Sequence, residues 1–280
     1  KIPDDIELIR LALTEDMGNG DITTEALALK GRTGRGVVIT KEMGVISGIG
    51  YFKKVFQTLS RSFSFRVLKK DGRPVDPGQE IIRIKGPVDL MLTGERTAMN
   101  IIGHLSGVAT LTKAFVEAVE AYPAKIFDTR KTTPGMRAWE KAAVRHGGGV
   151  NHRMGLYDMY LVKENHIAAA GGLETAMRQA IEHRRKTKIK LEVEVRNLSE
   201  LKEVLPFKPD YILLDNFTVP GLRKAVKLAK SVHPRIILEA SGKIDLKSVR
   251  KIAATGIDRI SVGRLTHSAP ALDLSFRVIG

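Results

Sequence analysis

The sequence predicts an α/β protein, in which a mixed N-terminal region precedes a parallel sheet that forms a barrel or a barrel-like layer. From residue 124 onward, six short apolar runs alternate with helix-like segments. Such alternation favours parallel pairing, because each parallel crossover needs a long connection. Each run also ends in charged or small residues, which is typical of strands that carry a site at their carboxyl ends.

The N-terminal region is predicted to mix helices with strands. Residues 4–15 have apolar positions at helical spacing, and Asp4 can cap that helix. Residues 88–120 predict a long, largely apolar helix that is broken near Gly103 and Gly107. Between these two segments the pattern predicts a helix at 48–59 and strands at 37–39, 63–68 and 80–84.

The regular part of the chain provides the predicted barrel. Its strands are predicted at 124–127, 159–162, 189–195, 211–214, 235–238 and 259–262. Its helices are predicted at 134–146, 171–185, 198–204, 218–231 and 245–254. Six strands joined by helices suit a barrel or a barrel-like sheet.

Composition limits the class of protein. The chain has 280 residues, of which 43% are hydrophobic and 28% charged, as in ordinary soluble globular proteins. It contains no cysteine, which excludes disulfides, thiolate zinc sites and cysteine nucleophiles. No apolar run is long enough to cross a bilayer, and no signal-peptide core precedes the first helix. We therefore expect a cytoplasmic protein with no membrane partner.

The formal net charge of +15 indicates an anionic partner, either nucleic acid or a small, strongly charged ligand. Nucleic-acid binders usually concentrate their cations in a stripe and add exposed aromatic residues. Here the aromatic content is only 5% and the cations are spread along the chain. Small anions are therefore favoured, and no nucleic-acid partner is predicted.

The segment DTRKTTPG at 128–135 follows the first strand of the predicted barrel and places two cations at a strand end. Asp128 could orient one of these cations or cap the turn, and the sequence does not choose. Four cations in one cavity would repel one another without a polyanionic ligand. The candidates are Arg130, Lys131, Arg153 and Lys163.

Other strand ends suit a charged ligand as well. In the run 189–195, Lys190, Glu192 and Glu194 share one face. Either the acids of this face form a structural ion pair with a neighbouring lysine, or Glu194 is an acid that faces a ligand. Ser241-Gly242-Lys243, before a helix expected near Asp245, and Gly263 are suited to phosphate. No pair of histidines has metal-binding spacing, so no direct protein metal site is predicted.

With these residues assembled, the chain resembles the quinolinate phosphoribosyltransferase family over nearly its whole length. The segment at 128–153, DTRKTTPGMRAWEKAAVRHGGGVNHR, is the most specific match. The other matching segments are GERTAMNIIGHLSGVAT (94–110), LVKENHI (161–167), EVEV (192–195), LLDN (213–216), EASG (239–242) and ISVGRLTHSAPALDLSF (260–276). Val108 and Lys243 depart slightly from the family pattern.

The resemblance implies an activity and a site. The family joins quinolinate to 5-phosphoribosyl 1-diphosphate and yields nicotinate mononucleotide, diphosphate and CO₂ in NAD synthesis, with Mg²⁺ held mainly by the diphosphate. Quinolinate would be bound by Arg130, His152, Arg153, Lys131, Lys163 and Arg96, the last reaching the neighbouring subunit's site in a homodimer. Lys131, Lys163, Glu194 and Asp215 would take part in catalysis, and the phosphoribosyl substrate would be bound by Glu194, Asp215, Ser241, Gly242, Lys243 and Gly263.

The resemblance also implies an N-terminal α/β sandwich-like domain at 1–110 and an incomplete, open α/β barrel at 111–267, with a tail at 268–280 returning to the first domain. Three alternatives stay open. One is a paralogous phosphoribosyltransferase of the molybdenum-transport type with another acceptor. The second is an aldolase that forms a Schiff base through Lys131 or Lys163, and the third is a nucleic-acid-binding protein. Oligomers larger than the dimer are left open too.

Overall fold

The computed structural model of the chain describes residues 4–279. The outermost ends of the predicted N-terminal domain and tail, residues 1–3 and residue 280, therefore lie outside the described residues. The chain divides into two compact units. The first contains residues up to Lys113 with Thr132–Gly148 and the segment from Thr266, and the second contains Ala114–Lys131 and Gly149–Leu265.

Strands and helices alternate through most of the chain. The strands are β1 (Thr33–Thr40), β2 (Gly44–Val45), β3 (Ser64–Val67), β4 (Pro74–Val75), β5 (Glu80–Pro87), β6 (Lys125–Phe127), β7 (Tyr160–Val162), β8 (Leu191–Val195), β9 (Tyr211–Asp215), β10 (Ile237–Ser241), β11 (Arg259–Ser261) and β12 (Leu274–Ile279). The helices are α1 (Asp5–Met17), α2 (Ile22–Ala26), α3 (Ile49–Leu59), α4 (Val88–Ala118), α5 (Arg137–His146), α6 (Glu164–Ala169), α7 (Leu173–Arg184), α8 (Leu198–Val204), α9 (Val219–Val232), α10 (Val249–Ala253) and α11 (Arg264–His267), with one 3₁₀ turn at Leu205–Phe207.

The second unit is built on a six-stranded sheet in the order β6-β11-β10-β9-β8-β7, and every pairing in it is parallel. The predicted mixed α/β fold is therefore confirmed, with each of the six predicted runs forming a strand. β6 and β7 stand at the two ends of the order. The central strands are largely buried, as expected of a parallel sheet covered on both faces.

The first unit contains the antiparallel sheet β12-β1-β5-β3. β1 lies in its middle and pairs with both β5 and β12, so the last strand of the chain is bonded to the first strand of the sheet. An aromatic cluster fills the core beside it. The Phe56 ring lies 5.1 Å from that of Phe52 and 5.3 Å from that of Phe63, measured between centroids. No helix in residues 4–279 combines the length and the apolar character that crossing a membrane requires.

The sequence misplaced several boundaries. α4 is continuous where an interruption was expected. Gly103 and Gly107 do not break the helix but allow the backbone of residues 270–272 to pack closely against it. The carbonyl of Gly103 accepts a bond from the Leu272 N–H at 3.0 Å, and a Cβ on Gly107 would lie 1.9 Å from the Pro270 carbonyl oxygen. The strand expected at 235–238 is β10, two residues further on, and the helix expected from 245 begins only at Val249.

Candidate active site at the strand ends of the parallel sheet

The carboxyl ends of β6 to β11 meet at one edge of the parallel sheet, and most of the predicted site residues lie there. Across the sheet order they are Arg130 and Lys131 after β6, Gly263 after β11, Ser241, Gly242 and Lys243 at β10, Asp215 at β9, Glu194 at β8 and Lys163 after β7. Arg96 belongs to the first unit, where it occupies an exposed position of α4.

A pair of guanidinium groups forms the cationic part of the site. Arg153 is 8% exposed, and its Nη1 donates to the Met159 carbonyl at 3.0 Å. Burial and the nearby positive charge of Arg130 lower the pKa of Arg153, while Glu192 and Asp158 oppose that shift. The structure therefore brings Arg130 and Arg153 close enough to repel each other. Two such groups, with a buried stem, suit bidentate binding of a dianion.

Behind Arg153 lies a buried cluster of one histidine and two acids. The Nε2 of His152 lies 3.0 Å from Glu192 Oε2 and 3.3 Å from Glu239 Oε1, and both acids are fully buried. Ser261 Oγ donates to the same oxygen of Glu239. Burial alone would lower the pKa of His152, but its bonds to the two acids raise it to about 9. Burial and the charge of Glu239 raise the pKa of Glu192, so these groups share protons as a unit.

The three donors also form a set that could hold a cation, since their ligand atoms lie within 4.8 Å of one another. The sequence pointed to no metal site because these donors come from three separate segments. The sequence placed Glu192 on the polar face of its strand, with an ion pair to a neighbouring lysine as one of the two alternatives for that face. Glu239 follows the strand predicted at 235–238 and was given no role, because a charged residue at that point looks like the ordinary polar end of a strand.

Asp128 lies on the other side of the segment Asn151-His152-Arg153. Its carboxylate is completely buried and accepts from the Asn151 Nδ2 at 2.5 Å and from the His152 N–H at 2.8 Å. The same segment joins the edge of the sheet, where Val150 forms a parallel bridge with Phe127. Residues 149–153 are therefore held beside β6 as an extension of the sheet.

Opposite charges meet at the β7 and β8 ends. Lys163 Nζ lies 3.5 Å from Glu194 Oε2, and the side chains are 45% and 14% exposed respectively. The more buried carboxylate is thus held beside a lysine that stays in contact with solvent. Such a pair can reorganise when a charged ligand enters, because an exposed ion pair is worth little by itself.

The ends of β9 and β10 form a tight backbone corner. Asn216 has φ 54° and Gly242 has φ 102°, and the Asn216 N–H donates to the Ser241 carbonyl at 2.9 Å. A Cβ on Gly242 would lie 2.2 Å from Asn216 Oδ1 and 3.0 Å from its backbone nitrogen. Only glycine fits this position, where a ligand can approach the backbone closely. The short helix α10 starts too late to contribute the helix N-terminus that was expected near Asp245.

Two family models match the chain. "Quinolinate phosphoribosyl transferase, N-terminal domain" matches residues 21–106, and "Quinolinate phosphoribosyl transferase, C-terminal domain" matches residues 108–277.

The names of similar proteins and solved structures agree with this family. The "Probable nicotinate-nucleotide pyrophosphorylase [carboxylating]" of Synechocystis is 41% identical over 95% of this chain and 90% of its own length. The "Nicotinate-nucleotide pyrophosphorylase [carboxylating]" of Mycobacterium leprae is 42% identical over 96% and 95%. A solved structure of the nicotinate-nucleotide pyrophosphorylase from Francisella tularensis has a TM-score of 0.92 at 41% identity and covers 100% of this chain and 98% of that chain.

Proposed function

The chain belongs to the quinolinate phosphoribosyltransferase family, and we propose that it converts quinolinate and 5-phosphoribosyl 1-diphosphate into nicotinate mononucleotide, diphosphate and CO₂. The observation that carries this proposal is the buried guanidinium of Arg153 beside Arg130. A site that holds two like charges together is stabilised by a dianion, and quinolinate carries two adjacent carboxylates. The paralogue with another acceptor, the aldolase and the nucleic-acid binder are not favoured.

The first chemical step is substitution at the anomeric carbon of the ribose. The pyridine nitrogen of quinolinate donates its electron pair to this carbon while the bond to the diphosphate breaks, and the diphosphate leaves with that bond's electron pair. Positive charge develops on the ribose in the transition state. We propose that the carboxylates of Glu194 and Asp215 hold the ribose hydroxyls and stabilise this charge.

The second step removes the carboxylate next to the new carbon–nitrogen bond. The ring nitrogen is then cationic, so the ring accepts the electron pair that the departing CO₂ leaves behind, and a proton from solvent completes the ring carbon. This step needs little acid–base assistance from the protein. The contribution of Arg130 and Arg153 is accordingly to orient the dicarboxylate, which places the nitrogen against the anomeric carbon. Lys131 and Lys163 would balance the charge of the carboxylates and the diphosphate.

We propose Mg²⁺ as the cofactor, bound mainly by the diphosphate of the substrate. Glu194 and Asp215 fit an accessory role, because they place carboxylate oxygens, which Mg²⁺ prefers, at adjacent strand ends. When bound, Mg²⁺ would neutralise charge on the leaving diphosphate. Ser241, Gly242, Lys243 and Gly263 are proposed to hold the 5-phosphate, which is supported by the close backbone corner at Gly242.

We also propose that Arg96 completes the site of a neighbouring subunit in a homodimer. Its support is the family membership together with its exposed position on α4. A cytoplasmic location stays a prediction. Sedimentation at assay concentrations tests the dimer, and mixing an Arg96→Ala chain with an Arg130→Ala chain tests the shared site. Each mixed dimer would contain one intact site and one site that lacks both arginines, so it should regain about half of the wild-type activity per dimer, whereas no recovery would contradict a site shared between subunits.

The proposed reaction is tested by product analysis with quinolinate and with nicotinate as competing acceptors. We expect equal amounts of nicotinate mononucleotide, diphosphate and CO₂ from quinolinate, and little product from nicotinate. The preference follows from the missing carboxylate, which would leave a buried guanidinium without its partner. Turnover of nicotinate at the same rate as quinolinate, or no product from quinolinate, would contradict the proposal.

A further inference from the structure

We infer that Asp128, Glu192 and Glu239 are positioning residues for the quinolinate site, which hold the segment Asn151-His152-Arg153 from two sides and so aim the Arg153 guanidinium. The inference rests on the proposed function. It concerns acids that are buried behind the cations, whereas the acids proposed for the reaction itself are Glu194 and Asp215.

Asp128 fixes the segment from the β6 side. Its two carboxylate oxygens are used separately, one by the His152 N–H at 2.8 Å and the other by the Asn151 amide at 2.5 Å. The backbone adds two further bonds, from the Asp128 N–H to the Val150 carbonyl and from the Val150 N–H to the Ile126 carbonyl. A fully buried carboxylate with bonds to both residues leaves the segment little freedom to shift along β6.

Glu192 and Glu239 fix the segment from the interior of the sheet. They contact the Nε2 of His152, and the Nδ1 of the same ring lies 2.8 Å from the Arg153 backbone nitrogen, from which it accepts whenever it carries no proton. Both ring nitrogens are thus engaged with the protein, so the ring cannot rotate toward a ligand without losing these contacts. His152 then acts by connecting the acids to the backbone of Arg153.

The position of Arg153 depends on both sides of this arrangement. Its backbone nitrogen is bonded to the His152 ring and its guanidinium to the Met159 carbonyl, so the side chain is held at both ends. The charge of Glu192 also acts on the guanidinium and opposes the repulsion from Arg130. Removing an acid should therefore move or loosen Arg153 and weaken the binding of a dicarboxylate, while the phosphoribosyl side of the site is less affected.

Asp128→Asn tests the β6 side. The new amide keeps an oxygen for the His152 N–H but turns an NH₂ group toward the NH₂ group of Asn151. We expect KM for quinolinate to rise at least about tenfold, since small displacements of a positioning group have effects of this size. KM for 5-phosphoribosyl 1-diphosphate should change less than about threefold. Glu239→Gln, which keeps the shape of the side chain, should shift the quinolinate KM in the same direction.

A polarity swap separates positioning from general damage. In the double variant Asp128→Asn/Asn151→Asp, the amide at 128 can donate to the carboxylate at 151, so the bond is restored with reversed roles. We expect the double variant to recover most of the quinolinate affinity lost in Asp128→Asn. Failure of this rescue, together with equal changes in both KM values, would overturn the inference.

Asp210→Asn is the matched control. Asp210 is also an acid that bonds a neighbouring strand, through the Leu191 N–H at 2.9 Å, but it lies before β9, at the opposite end of the sheet from the site. It should lower the melting temperature and leave both KM values unchanged. If Asp128→Asn behaves like Asp210→Asn, the role of Asp128 is only structural and the inference is wrong.

Two further measurements keep the outcomes distinct. A wild-type chain without turnover would count against the proposed function, whereas quinolinate affinities of the wild type and variants, measured by calorimetry, decide the positioning role directly. Elemental analysis after gel filtration in metal-free buffer checks the His152–Glu192–Glu239 cluster. We expect far less than one bound metal ion per chain, and a stoichiometric metal that Glu239→Gln removes would overturn the assignment of these acids as positioning contacts of His152.

Discussion

Gly107 of α4 provides a sharp test of how the C-terminal segment packs in the first unit. A Cβ at this position would lie 1.9 Å from the Pro270 carbonyl oxygen and 3.0 Å from the Ala271 Cα. Real contacts of this kind are well over 3 Å, so the backbone of the segment would have to retreat by about 1 Å or more. Leu272, which is buried and bonded to the Gly103 carbonyl, would have to move with it.

Two opposing effects decide the magnitude for Gly107→Ala. Replacing a glycine inside a helix by alanine stabilises by about 0.5–1 kcal/mol. Overpacking against a backbone that cannot retreat freely costs about 1–3 kcal/mol and more when hydrogen bonds are lost. We expect a net loss of about 2 kcal/mol, which corresponds to a decrease of roughly 3–4 °C in the melting temperature of a chain of this size.

The assay is thermal unfolding of three glycine variants under one set of conditions. Gly50→Ala is the control, because a Cβ there meets nothing within 4 Å, and it should be neutral or slightly stabilising. Gly103→Ala should lie between the two, since its nearest contact is the Leu272 carbonyl oxygen at 3.3 Å. A Gly107→Ala chain as stable as the Gly50→Ala chain would refute the close approach of Pro270 to α4.

The remaining predictions concern the candidate site and the stability of the fold at low pH. Arg130→Ala should lower kcat/KM for quinolinate by about 100-fold or more with an unchanged melting temperature. The control, Arg223→Ala on the exposed side of α9, should leave kcat/KM unaltered. Normal turnover by Arg130→Ala would exclude the proposed role of Arg130 in binding quinolinate. Glu194→Gln should lower kcat by about 100-fold. A much smaller decrease would contradict the proposed role of Glu194 at the ribose. Chelation of Mg²⁺ should stop product formation, and added Mg²⁺ should restore it. Burial alone would raise the pKa of Asp210, but bonds from Lys190 and the Leu191 N–H lower it. The ionised Asp210 therefore stabilises the fold fully above about pH 4, and this contribution is lost as the pH falls through the lowered pKa. Asp210→Asn should accordingly lower the melting temperature by a few degrees at pH 7 and by less in acid.

The parallel sheet was predictable because its strands have a strong local pattern. Runs such as 211–214 are short, apolar and bounded by polar residues, and the structure forms β9 there. The boundary of β10 was not predictable in the same way. Glu239, a charged residue, looks like the end of a strand, yet it is buried inside one because His152 and Ser261 bond it. Partners from distant segments override the local preference of a charged residue for solvent.

The glycines of α4 show the same limit. Gly103 and Gly107 looked like interruptions, since glycine is unfavourable in a helix. In the fold they are required by the approach of another backbone segment, residues 270–272. A pattern of residue types records that a position is unusual, but the cause can lie far along the chain.

By itself, the sequence determined the α/β class, the strand ends where charged residues gather, and the family, because each of these depends on residue types that are close together in the chain. Only the tertiary structure decided which partners hold Asp128, for which the sequence left open a role in orienting an adjacent cation or in capping the turn. The carboxylate is buried and bonded to Asn151 and His152, residues more than twenty positions away. A buried carboxylate is stable only with such partners, and which partners reach it depends on how β6 and the 149–153 segment are brought side by side.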